Sequence, residues 1–184
     1  MNALRLAPLL LAISLAACAS TRGPDMLAAD APRSLPSAGP VSVAWSDPAG
    51  FTELRRSSNI YEATRGDWLP QLAEYLRKRA EPRLGTGERL ELTILDVDRA
   101  GEYEPWIGVN YSDTRIVRDI YPPRMTVQFR HFDSAGLVVA EGESKLTDLA
   151  FLTNASPINN SDPLRFEKRM IDAWLRRELL TAAR

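Results

Sequence analysis

The chain has 184 residues, 45 % of them hydrophobic and 26 % charged, with a formal net charge of −1. That is enough apolar material for one domain with an ordinary core, and the near-neutral balance excludes the broad basic surface that nucleic-acid binding needs. A single cysteine excludes a disulfide framework, so stability has to come from packing.

The N-terminus carries Arg5 and then an uncharged stretch from Leu6 to Ala17. A bilayer-spanning helix needs roughly 20 apolar residues. This run is shorter, contains Pro8, and ends in the small residues Ala16 and Ala17, which is the order of parts in a secretory signal. The sequence Leu15-Ala16-Ala17-Cys18 resembles the lipobox of bacterial lipoproteins. That resemblance implies a signal peptide over residues 1–17 and acylation of Cys18 with palmitate-type chains. Two or more chains hold firmly where one is marginal, so attachment to the membrane would be stable. Ala19 instead of an aspartate after the cysteine implies the outer membrane, on its periplasmic side. Residues 18–40 then read as a lipidated cysteine and a Pro/Ala-rich tether, with Pro24, Pro32, Pro36 and Pro40. Such composition buries little and stays extended, and 22 residues reach about 70 Å when stretched.

From Val41 the pattern becomes foldable, and residues 41–184 are expected to form a single globular domain. Val41 to Trp45 alternates as a strand and is stopped by Asp47-Pro48. Phe51 to Ala63 reads as loop or irregular turn. Leu69, Leu72, Ala73, Leu76 and Ala80 recur at helical spacing, which predicts a helix over 67–80 with Asp67 as its cap. Arg89 to Asp98 gives the clearest strand, with Leu90, Leu92 and Ile94 on one side and Val97 beyond them. A long loop follows over 100–112, then a short extended piece before Pro122-Pro123. Met125, Val127 and Phe129 mark a further strand. Asp133-Ser134-Ala135-Gly136 is a hairpin turn, and Leu137 to Leu146 returns as its partner. Asp162-Pro163 signals the start of a last helix. The order β-α-β-β-β-α predicts an α+β two-layer sandwich, with a mixed four-stranded sheet and helices on one face.

Chemistry concentrates in charged loops. Asp96, Asp98, Glu102 and Glu104 surround the end of the central strand. Oxygen-rich clusters suit hard cations, but this spacing does not follow a calcium-loop pattern, so no metal or cofactor is expected. Paired carboxylates near Tyr103 and Trp106 would also suit glycoside hydrolysis. His131 stands alone, without a nucleophile elbow or further zinc ligands, and reads as a surface or half-buried strand residue. Arg55 and Arg56, and then Arg115 and Arg118 beside Asp119, form two basic loops able to hold a carboxylate or phosphate. Pairing between these loops and the acidic group is the favoured expectation, because charged loops that pack together need counter-charges. Their convergence would also be a place for a ligand cleft.

Four motifs together are specific: Arg55-Arg56-Ser57-Ser58 with Glu62-Ala63-Thr64-Arg65; Asp96-Val97-Asp98 with Ala100-Gly101-Glu102 and Glu104-Pro105-Trp106; Arg115-Ile116-Val117 with Asp119-Ile120-Tyr121-Pro122-Pro123-Arg124; and Asp162-Pro163-Leu164-Arg165 with Glu167-Lys168-Arg169-Met170 and Trp174-Leu175. In this combination the chain resembles the bacterial domain-of-unknown-function family 3016, which occurs in exported proteobacterial proteins. The resemblance implies one domain and brings no activity, cofactor or catalytic residue. The leading expectation is a lipid-anchored envelope protein with a non-catalytic domain that binds an envelope protein or the cell wall. The alternative is an envelope hydrolase using paired carboxylates.

Overall fold

The computed structural model describes residues 26–153 and 161–181; Cys18 and the stretch read as a signal peptide lie outside them. β1 (Val41–Trp45) buries Val41, Val43 and Trp45 and turns Ser42 outward. Two short helices, α1 (Thr52–Arg56) and α2 (Ile60–Ala63), precede α3 (Trp68–Ala80). β2 (Arg89–Asp98) leads into a small antiparallel ribbon of β3 (Glu102–Tyr103) and β4 (Arg115–Ile116). β5 (Arg124–Phe132) and β6 (Val138–Thr147) form the hairpin, and α4 (Arg165–Thr181) follows.

The four long strands make one sheet in the order β1-β2-β5-β6. β1 and β2 run parallel, and the other two pairings are antiparallel. This is the expected α+β arrangement with a mixed sheet. Its inner face presents Leu90, Leu92, Ile94 and Val127 to the buried stripes of α3 and α4, including Leu72, Leu76, Ile171 and Trp174. The opposite face carries Glu91, Thr93, Gln128 and Arg130, all at least partly open to solvent.

A bulge in β2 matters for the site. Strict alternation after Leu90, Leu92 and Ile94 would turn Asp96 into the core. The register shifts between Ile94 and Asp96, so that Val97 takes the inner position and Asp96 and Asp98 remain only partly buried. One extra residue in the strand thus avoids burying two carboxylates, whose uncompensated desolvation would be costly.

Several local features differ from the sequence reading. Phe51 to Ala63 is not irregular: α1 and α2 form there, and Asn59 caps α2 by accepting from the Glu62 N–H at 3.2 Å. Asp67 precedes α3 but makes no capping bond; it accepts instead from Gln71 Nε2 at 2.5 Å. His131 is buried at 6 % exposure, because the alternation from Met125 and Val127 carries it inward, and its Nε2 lies 3.0 Å from Glu88. The described part of the proline-rich segment is packed instead of extended. Met26 and Leu35 join the core, Ser34 bridges to Ala44, and the N–H groups of Leu35 and Trp45 donate to Val43 and Arg33. The segment thus straps the outer edge of β1, where unpaired backbone would otherwise lie open.

Candidate functional site

The charged motifs meet at the end of β2, and most of them are joined to each other. Glu53 of α1 is 3 % exposed. Its carboxylate accepts from the Arg99 N–H at 2.8 Å, from Arg99 Nη2 at 2.7 Å and from Arg115 Nη2. The two guanidiniums stack on aromatic faces, Arg99 at 4.5 Å from the Trp68 ring and Arg115 at 4.8 Å from the Tyr103 ring. Planar, weakly hydrated cations tolerate this environment better than ammonium groups do. Arg99 also donates to the Ala63 carbonyl, and Arg115 to the Gly101 carbonyl. Glu167 of α4, only 1 % exposed, accepts from the Ala100 N–H at 2.7 Å, and burial pushes its carboxyl up from the ordinary range. Gly101 is required here. Its φ is +84°, and a Cβ would stand 2.8 Å from the Ile116 carbonyl oxygen.

Two further clamps fix the surrounding loops. Asp96 accepts from the Thr52 N–H at 2.6 Å and the Thr52 hydroxyl at 2.7 Å, which caps α1 from the neighbouring strand. Glu104 is buried, accepts from Arg118 Nε at 3.0 Å and Nη2 at 2.7 Å, and accepts from the Tyr121 hydroxyl at 2.9 Å. The Arg118 bonds hold its carboxyl below the usual carboxylate range. The acidic and basic loops therefore do pair, as Glu104 with Arg118 and Asp98 with Arg124. Arg115, however, is taken by Glu53, which stands in the stretch Phe51 to Ala63 expected to be loop.

What remains is a polar cleft of about 270 Å³ lined by Arg56, Ser58, Asp98, Arg99, Gly101, Glu102, Trp106, Ile120, Tyr121, Pro122 and Arg124. Among the described residues the Asp98 carboxylate accepts no hydrogen bond; its contact is an ion pair with Arg124 at 3.6 Å. Burial, and then the nearby charge of Glu53, push its carboxyl up to about 6, against the pull of Arg124 and Arg56. Glu102 uses one oxygen on the Tyr103 N–H at 2.8 Å. Arg56 has no ion pair among the described residues, and Trp106 is 67 % exposed at the rim. Of the nine residues predicted as a polar surface, Arg56, Asp98 and Glu102 line this cleft. Asp96, Glu104, Arg115 and Arg118 are engaged in the surrounding framework. Arg55 and Asp119 are exposed outside it. Among the described residues no group of three His, Cys, Asp or Glu side chains is arranged to hold a metal ion.

The raised Asp98 value predicts a pH effect. Between the ordinary 3.8 and about 6 the folded chain keeps a proton that the unfolded chain has released. Stability therefore falls as pH rises through that window and is flat above it. One pH unit of difference corresponds to about 1.4 kcal/mol, so the loss is about 1–3 kcal/mol for a group still partly open to water. Asp98→Asn is expected to remove this slope and to be more stable than the wild type at pH 7. Urea unfolding at pH 4 and pH 7 checks it; parallel profiles for the two proteins would contradict the assignment.

Fold and site define a two-layer α+β domain in which a buried ionic framework supports a polar cleft. The chain belongs to the family described as protein of unknown function (DUF3016), whose model matches residues 39–177. No curated protein and no solved structure matches the chain.

Proposed function

We propose that this is an exported, lipid-anchored envelope protein whose domain is a non-catalytic binding module, with the cleft beside Asp98 as its binding surface. The observation that carries the reading is the commitment of the carboxylates. Asp96 and Glu104 spend both carboxylate oxygens on hydrogen bonds from the protein itself, and Glu102 spends one on the Tyr103 N–H. Catalysis by two carboxylates needs both placed against the substrate. Arg56 and Trp106, without ion pair or ring contact among the described residues, and Asp98, held only by an ion pair with Arg124, stand around one concavity with capacity to bind.

The anchor at Cys18 rests on the lipobox-like sequence, and the strap adds a consequence. Met26 is already packed on the domain, so the eight residues from Cys18 to Met26 allow at most about 28 Å between anchor and fold. An acylated chain would ride close to its membrane instead of on a long tether. Among the described residues no helix is long and apolar enough to cross a membrane.

One observation favours a hydrolase as the second reading. Asp98 and Glu102 line the same cleft as Trp106 and Tyr121, and a carboxyl titrating near 6 suits a general acid. Cross-linking of the anchored chain in cells, read by mass spectrometry, separates the two. A reproducible envelope partner supports the binding module. No partner, together with release of cell-wall fragments by the purified chain, would replace it with the hydrolase.

A further inference from the structure

The cleft is distinctive in how its charges are arranged. Three arginines and two carboxylates line it; Arg99 is held by Glu53 behind the wall, which leaves Arg56 and Arg124 beside Asp98 and Glu102. A polyanion would meet the two carboxylates, and a polycation the guanidiniums, so neither is a good occupant. The opposite charges are also adjacent. Asp98 lies 3.6 Å from Arg124 and close enough to Arg56 for that charge to act on it. A zwitterionic peptide would need its cation and anion sites set apart across the cavity. Donors and acceptors that alternate at short spacing instead match vicinal hydroxyls, each of which both donates and accepts.

The rim supplies the other half of the match. Trp106 is 67 % exposed and Ile120 66 % exposed, and both line this one cleft, which places two apolar side chains beside its polar groups. Trp106 does not sit on a loose loop. It lies in a short helical turn, Pro105–Ile107, that follows the clamped Glu104, and the Ile107 N–H donates to the Glu104 carbonyl at 3.1 Å. An indole carried on a backbone held in this way, beside a polar lining of planar charged groups, fits a ring with an apolar face and a hydroxylated edge. We infer that the ligand of this cleft is a neutral glycan, with Trp106 as its stacking platform and Asp98, Arg124 and Arg56 as its hydroxyl-reading groups. This inference rests on the binding-module reading of the same cleft.

The test uses intrinsic fluorescence of the full chain. The three other tryptophans, Trp45, Trp68 and Trp174, are buried, so Trp106 is the one a bound ring would shield. A soluble β-1,4-linked N-acetylglucosamine tetramer is expected to give a saturable blue shift. In calorimetry Trp106→Ala is expected to abolish binding, while Asp98→Asn and Arg56→Ala each weaken it about tenfold, the loss of one charge-assisted hydrogen bond. Absence of a saturable response, or undiminished affinity in Trp106→Ala, would overturn the glycan assignment. A zwitterionic tripeptide binding in place of the tetramer would overturn it while leaving a binding module standing. Shortening of the tetramer during the titration would keep the glycan and overturn the non-catalytic reading.

Discussion

Replacing Glu53 with alanine is expected to destabilise the domain by about 3–5 kcal/mol, the usual cost of removing one partner from a buried charge cluster. Its side chain is 2 % exposed, and the arginines it joins are 13 % and 19 % exposed. The substitution would leave two poorly hydrated guanidiniums and the Arg99 N–H without their acceptor. Since domains of this size have about 5–15 kcal/mol in total, a large share of stability would go. Glu53→Gln retains one acceptor oxygen for the two Nη2 groups and is expected to cost less, about 2–3 kcal/mol, although it loses the charge and turns an amide donor toward the Arg99 N–H. A second change at Arg115 should recover part of the Glu53→Ala loss, since it removes one of the stranded cations. Equilibrium urea unfolding of the single and double variants measures this directly. A Glu53→Ala cost below about 1 kcal/mol, typical of a surface ion pair, would mean that the framework is not the structural unit described.

The second large effect is on location. Cys18→Ser is expected to move the protein from the membrane fraction to the soluble one, with loss of acylation by a palmitate analogue. The lipobox reading attaches every acyl chain at this one residue, so on that proposal the effect should be nearly complete. The domain should still fold, because the core described from Met26 onward is built without a thiol. Fractionation after metabolic labelling checks both halves. A serine variant that remains acylated and membrane-bound would refute the anchor.

Much of the fold was legible because it is written in local periodicity. The alternation of Leu90, Leu92 and Ile94, and the helical spacing from Leu69 to Ala80, each report a buried face within a few residues of chain. Even the β2 bulge left a trace, since Val97 breaks the alternation by one position. The short helices did not, because five and four residues are too few to display a period. The packed strap was hidden for another reason. Its prolines suggested extension, but two apolar residues, Met26 and Leu35, were enough to seat it on the core.

The site was harder to read. Asp96, Asp98 and Glu104 were visible as charges, but their roles depend on partners brought in by the fold. Thr52 lies 44 residues from Asp96, and Glu53 lies 62 residues from Arg115. No spacing rule links such positions. Glu167 did carry a signal: with Leu164, Ile171 and Trp174 it falls on one helical face at spacings of three and four, among residues that are otherwise apolar. A carboxylate on a buried stripe requires a partner, and the Ala100 N–H supplies it. Trp106 and Ile120 stand in stretches whose pattern predicts a loop and a short extended piece, and only their exposure in the fold separates them from core aromatics and aliphatics.

The central claim is that binding takes place at the cleft and not elsewhere on the charged surface. A photo-reactive residue placed at position 58 on the cleft lining of the full chain, and in a second strain at position 128 on the outer sheet face, tests it in cells. The cleft reading predicts a reproducible envelope adduct from position 58, lost with Trp106→Ala and with the Asp98→Asn, Arg56→Ala pair, and none from position 128. Equal capture from both positions, or capture only from the sheet face, would contradict it.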